Sequence, residues 1–360
     1  MSSAVVWFRV PISSFGPQRP QFLYFSAALR RSSRVSLRSV MVWRSAKGRR
    51  IAYQAAAIGA ALAVAWFLIS NTIANLEERK IASGLGFLQR EAGFEIGESA
   101  FLRYDASDSY LRALLVGVTN TLAVAMIGVV IATGLGTAIG LFRLSKNFLL
   151  RTLSGAYIEF IRNVPLLVQL FFWYAVITEG MPGPREALSP LPGVFLSNRG
   201  IFIPTLTSSP ELQGFNFVGG ATLTPEFAAL LIGLAIYTAA FIAEIVRAGI
   251  LAVDRGQGEA AHALGLSRAQ TTRLIILPQA LRVIVPPMTS QYLNLTKNSS
   301  LAVAIGYPDL VSIANTTMNQ TGQAIEGIAI IMAVYLTISL SISALMNWYN
   351  RRIALKGARA

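Results

Sequence analysis

The sequence predicts an all-α integral membrane fold of about six transmembrane helices with both termini on the cytoplasmic side. Three observations carry that expectation. Of the 360 residues only 13% are charged, against roughly 25% in an average soluble domain, while 54% are hydrophobic and mean hydropathy is +0.54. Six stretches are long and apolar enough to cross ~30 Å of hydrocarbon. Every short loop rich in Lys or Arg falls on the same side of those stretches, which sets the cytoplasmic face.

Taken in order, the basic tail 1–50 holds ten Arg or Lys and no acid, leaving 21 basic and 17 acidic residues in the rest of a chain of net charge +14. An Arg- and Ser-rich, acid-free tail has the composition of an organellar transit peptide; an over-extended start, with Met41 as the working initiator, explains it more simply. The first span is expected at 51–73, followed by a non-cytoplasmic segment 74–111, acidic on balance. Spans at 113–142 and 153–178 flank a loop carrying Arg143, Lys146 and Arg151. The insert 179–225, with prolines at 182, 184, 190, 192, 204 and 210, reads as irregular external loop. Span 226–249 leads into a cytoplasmic loop, 254–278, carrying Arg255, Arg268 and Arg273. Span 280–303 contains Pro286-Pro287, expected to break its helix, and span 325–348 precedes the cytoplasmic tail 351–360.

Composition also excludes chemistry. With no cysteine and one histidine, His262, the chain has no disulfide, no thiol nucleophile, no catalytic residue set and no metal centre to expect. The basic excess sits on one tail of a membrane protein, so nucleic acid is not an expected partner; membrane lipid is. No G-x-x-x-x-G-K-[S/T] loop exists, so no ATP or other cofactor should bind this chain. Gly134-Leu-Gly136 with Gly140 lies inside a span, where Gly136 and Gly140 are read as close helix packing.

The loop 254–278 is the most informative segment. Gly256 and Gly258 loosen its start, Glu259 is placed in the first turn of a short helix, and Gly265 supplies a left-handed stop. Ser267 and Gln270 form a capping box for a second helix, which Pro278 should end. A helix with so small an apolar face cannot bury itself and is shaped for another protein's groove. Glu259, Ala260, Ala261, Gly265, Ile275, Leu277 and Pro278 match at every position the E-A-A signature of ABC-importer permeases, which this loop therefore resembles. The resemblance implies a coupling helix seated in the ATP-binding subunit.

Arg162-Asn163-Val164-Pro165-Leu166-Leu167-Val168-Gln169 resembles the R-x-x-P-L-L-V-Q segment of polar amino-acid permeases of the histidine/glutamine type. The stretches Tyr237–Gly249 and Leu295–Leu301 are similar to that family too. The likeness covers about 110–350, and the extra first span and the two inserts resemble the longer general L-amino-acid permeases. It implies a five-helix type I importer core at 112–350 plus one extra N-terminal span, in a bacterial inner membrane. The implied partners are an ABC ATP-binding subunit dimer that uses the ATP, an identical or sister permease and a periplasmic amino-acid-binding protein.

Polar residues inside spans default to function. Lys297 lies ~25 Å into its span at 1.5 Å per residue, beside Asn294, Asn298, Ser299 and Ser300. It could meet a substrate carboxylate, or snorkel or pair with a partner subunit. Arg162 and Asn163 could line a gate or cap a kink, while Glu244 and Arg247, three apart, favour a structural ion pair over a substrate contact. The expected function is an ATP-driven permease subunit for L-amino acids, not itself an enzyme; a secondary amino-acid transporter without an ATPase is the alternative, although the spans hold few carboxylates for ion coupling.

Overall fold

The computed structural model describes residues 46–78, 84–99 and 102–353, so the basic tail up to residue 45 lies outside the described residues. The chain divides into two units, Met1–Arg79 and Lys80–Ala360. The described part of the first is α1 (Ala46–Glu78), starting five residues earlier than the expected span. Trp66, Phe67, Leu68 and Ile69 are all more than half exposed on it, so the helix offers apolar surface to lipid or to another chain.

In the second unit, segments 84–99 and 102–109 fold back on the bundle. A 3₁₀ turn at Leu85–Gln89 buries Phe87, and the Ala92 N–H donates to the Asp108 carbonyl at 2.8 Å. Ser109 then caps α2 (Tyr110–Arg143) by accepting from the Arg112 N–H. Across α2 lies α5 (Pro225–Leu251), begun by the side chain of Thr224 and by Pro225 at its first turn. These two long helices touch backbone to backbone as expected. A Cβ on Gly136 would lie 2.8 Å from the Ala239 carbonyl, and one on Gly140 2.7 Å from the Ala243 carbonyl.

The expected span 153–178 is two helices, α3 (Phe148–Asn163) and α4 (Leu166–Thr178), meeting at 106°, with the bend at the Arg162-Asn163-Val164-Pro165 segment, where a kink is one of the two sequence readings. Pro165 is the cause. It pushes Val164 out of the helical region to φ −94°, ψ 127°, so α3 has to stop.

The insert 179–225 is not irregular. It holds β1 (Leu188–Leu191), β2 (Val194–Ser197), β3 (Gly200–Ile203) and β6 (Ala221–Leu223) as an antiparallel sheet in the order β1-β2-β3-β6. A separate hairpin pairs β4 (Glu211–Gln213) with β5 (Asn216–Val218). Phe195 stacks on Phe217 with ring centroids 4.5 Å apart, and Phe202 meets Phe217 at 4.8 Å. Pro190 inside the edge strand β1, further prolines between strands, and strands of three or four residues all read as loop, so this small sheet leaves little trace in the sequence. The fold is therefore mostly helical rather than all-α.

After α5 come α6 (Arg255–Ala263), α7 (Arg268–Thr271), a π-helical turn at Thr272–Ile276 and α8 (Leu277–Asn298). Pro286-Pro287 does not break α8. Both rings lie on its exposed side, and the helix runs on to Asn298 before tightening into a 3₁₀ turn, Ser299–Ile305. Gly306, at φ +79°, closes that turn and leads to α9 (Leu310–Thr321) and α10 (Ala324–Ile353). The core joins Leu170 of α4, Leu230, Leu234 and Ile242 of α5, Leu295 of α8 and Tyr307, all nearly inaccessible. By length and apolarity α1, α2, α5 and α10 are candidate membrane spans, with α3 and α4 a fifth if the bent pair counts as one.

Candidate coupling and translocation sites

The loop after α5 is built from its caps. The Asp254 carboxylate accepts the Gly256 N–H at 2.6 Å and starts α6 at Arg255, so Gly256 and Gly258 lie within the helix and Glu259 falls in its second turn, not its first. The earlier start follows from Asp254, whose capping role the glycines obscured. The helix ends in a Schellman pair: Leu266 N–H donates to Ala261 O at 3.1 Å and Gly265 N–H to His262 O at 2.9 Å. Gly265 has φ +80°.

Ser267 and Gln270 then cap one another reciprocally, at 2.9 and 3.3 Å. Pro278 does not end the second helix. It sits in the first turn of α8, and the π turn before it, with the Leu277 N–H on the Thr272 carbonyl, absorbs the ladder position Pro278 cannot fill. Gln279 donates to Gln257 at 3.4 Å, tying α6 to the base of α8.

The result is an outward-facing helix. Of α6 only Ala261 is buried, while Glu259, Ala260, His262 and Ala263 are exposed and Leu264 is 82% exposed. Ile275 and Pro278 are half-buried, and Leu277 is exposed. All seven matched positions are thus gathered at one end of the bundle.

The intramembrane candidates divide into two groups. The Arg162 guanidinium lies 5.0 Å over the Phe241 ring, Asn163 is exposed beside it, and Glu244 is held by Arg247 in two-pronged contact at 2.5 and 3.0 Å. The charges of Arg143 and Arg162 both reach Glu244. Lys297 and Asn294 lie elsewhere, exposed on α8, with Asn298 and Ser300 half-buried and Ser299 buried. The Ser299 and Ser300 hydroxyls donate to the Thr296 and Lys297 carbonyls at 2.8 and 2.7 Å, so they serve their own helix turn rather than a shared pocket.

Over residues 126–355 the chain matches the family described as the binding-protein-dependent transport system inner membrane component. The chain belongs to that family. It is 46% identical to the putative amino-acid ABC transporter permease protein YhdX of Escherichia coli K12, over 84% of this chain and 93% of that protein. It is 41% identical to the general L-amino acid transport system permease protein AapQ of Rhizobium johnstonii, over 89% and 95%. Among solved structures it resembles one described as an amino acid ABC transporter with histidines, at TM-score 0.52 and 30% identity, over 68% of this chain and 95% of that one.

In this inner membrane component two residues matter that composition alone would not reveal. Gln169, buried in α4, donates to the Ile161 carbonyl at 2.9 Å and the Val164 carbonyl at 3.0 Å, so one amide spans the bend. The spacing Pro165-x-x-x-Gln169 was the available signal. Asn120 of α2 donates to the Glu98 and Pro308 carbonyls at 2.8 and 2.9 Å, pinning two distant segments; no sequence motif announces it.

Proposed function

We propose that this chain is the transmembrane permease subunit of an ATP-driven importer of L-amino acids, alternating access as a separate ATPase closes. The observation that carries the reading is the capped, outward-facing helix α6 with Leu264 exposed, in a chain of this transport family. The ATP-binding dimer offers the groove; an identical or sister permease and a periplasmic amino-acid-binding protein complete the assembly. ATP is used by the partner, and this chain contributes no catalytic residue.

The reading places both termini and loop 254–278 in the cytoplasm of a bacterium, with the β-stranded insert and segment 74–111 on the periplasmic side. It counts α8 as the sixth span. That helix is not apolar enough to stand among the candidate spans by composition. Its 22 residues still reach about 33 Å at 1.5 Å each, long enough to cross where other helices cover its polar side. Its exposed Asn294 and Lys297 are too polar for lipid and therefore face the path or the sister subunit. Likewise Arg162, Asn163 and Glu244 line the cytoplasmic half of the path.

The test is co-purification with the ATPase of its own system, wild type against Gly265→Asp. At φ +80° an aspartate strains the Schellman stop, although nothing lies within 4 Å of the added Cβ. The wild type should retain the ATPase, and the variant should lose it while still inserting in the membrane. A wild-type chain that purified alone and transported without ATP would make it a secondary carrier.

A further inference from the structure

At the end of the bundle opposite α6 lies a cavity of about 410 Å³, within the usual range for small-molecule sites. One wall is Phe94–Glu98, the second is Thr224 and Glu226 at the start of α5, and the third is Gly306, Pro308, Ser312 and Thr316. Asn120 holds the first and third walls together through its two carbonyl contacts. The lining carries Glu95, Glu98 and Glu226 and no Lys or Arg.

Glu98 is the unusual member. It is 8% exposed, and its Oε2 is buried with no hydrogen-bond partner. A buried carboxylate oxygen left unmatched is costly, so its retention needs a reason. Burial, and then the neighbouring charge of Glu226, hold the Glu98 carboxyl above the usual range, with a Thr224 hydrogen bond opposing them. Tyr307 also faces this charge. A positive ligand between the two walls would supply the missing partner and relieve both penalties at once.

The lining is not arranged as a carboxylate or histidine cage for a metal ion. Among the described residues no three His, Cys, Asp or Glu groups converge closely enough to hold one. The lining instead offers two half-buried or buried carboxylates on separate walls with Ser and Thr hydroxyls beside them, which suits a wider head with several N–H donors. We propose that this cavity binds a small organic cation through a primary ammonium or guanidinium group, held between Glu98 and Glu226.

The test uses the full-length chain in lipid nanodiscs with agmatine and cadaverine as probes, against potassium chloride of equal ionic strength. Wild type should bind both probes saturably at pH 7.5, with a rise in Tm that potassium does not reproduce. Glu98→Gln should weaken binding at least tenfold and abolish that ligand-dependent rise. If that variant fails to fold, Glu226→Gln on the facing wall carries the test with the same expected loss. Absence of saturable binding by the wild type, or undiminished binding by Glu98→Gln, overturns the proposal. No ATPase takes part, so either result leaves the coupling assignment of α6 to stand or fall by itself.

Discussion

Gln169 shows how much one side chain can decide. Its amide donates to the Ile161 carbonyl in the last turn of α3 and to the Val164 carbonyl at the bend, and Leu in its place leaves both acceptors without that donor. At roughly 1 kcal/mol for each lost hydrogen bond, less the relief of its own buried and unpartnered Oε1, Gln169→Leu should cost about 1 kcal/mol and lower Tm by a few degrees, read by thermal unfolding in detergent. Glu244 offers a different contrast. Its pair with Arg247 is about one-third exposed on both sides, which limits its net contribution to ~1 kcal/mol or less. Glu244→Gln should therefore leave Tm nearly unchanged while lowering uptake at least tenfold, as a carboxylate lining the proposed path requires; unchanged uptake would leave it a structural pair only.

Glu98 gives a pH dependence. Its carboxyl is raised above 4.5 in the folded chain, so between the unfolded and folded values the folded state holds more protons, and stability declines as pH rises through that window. Without an added cation, Glu98→Gln should lose that decline and match or exceed wild-type Tm at pH 8. Glu95 on its own segment, Glu226 from α5, and Tyr307 and Asp309 from the turn before α9 are the titratable groups around it, so the comparison is best made within one buffer series. A wild-type Tm that rose from pH 5 to 8 relative to the variant would refute the assignment.

At the scale of the element, α6 and its flanks were the most legible part of the chain. Gly265, Ser267 and Gln270 act through contacts three to five residues away, and such local hydrogen bonding is written directly into spacing. The same holds for Gly136 and Gly140, whose missing side chains announce a close neighbour without saying which. The size of a bend, and whether a proline makes one, depend on geometry that spacing does not carry. Pro165 bends its span by 106° while Pro286 and Pro287 leave theirs running, and the difference is where the freed groups go: Gln169 collects them at the first, and the second pair faces outward. The small sheet was missed because its strands are too short to show alternation. Leu264→Glu, placing a charge on the exposed C-cap residue of α6 while keeping its backbone hydrogen bond to the Ala260 carbonyl, should abolish stimulation of the ATPase while lowering Tm by no more than about 2 °C, the cost of an acid at a helix C-terminus.

For the whole molecule, the absence of cysteine makes topology directly measurable. Leu206, fully exposed in the stranded insert, and Leu264 lie at opposite ends of the proposed span order. In intact cells an impermeant maleimide should label Leu206→Cys and spare Leu264→Cys until the membrane is opened. The reverse pattern would invert the orientation read from the basic loops.

α5 joins the two ends that the functional readings concern. It is one unbroken helix from Pro225 at the acidic cavity to Leu251 at the edge of the coupling loop, and it is gripped near its middle, where Gly136 and Gly140 meet the Ala239 and Ala243 carbonyls. A stiff rod clasped at its waist is a lever. Its arms run ~22 Å toward the cavity and ~15 Å toward the coupling loop at 1.5 Å per residue. A sideways push of about 1 Å at the coupling end, pivoting on that clasp, would swing Glu226 by roughly 1.5 Å the other way, opening or closing the gap across which it faces Glu98.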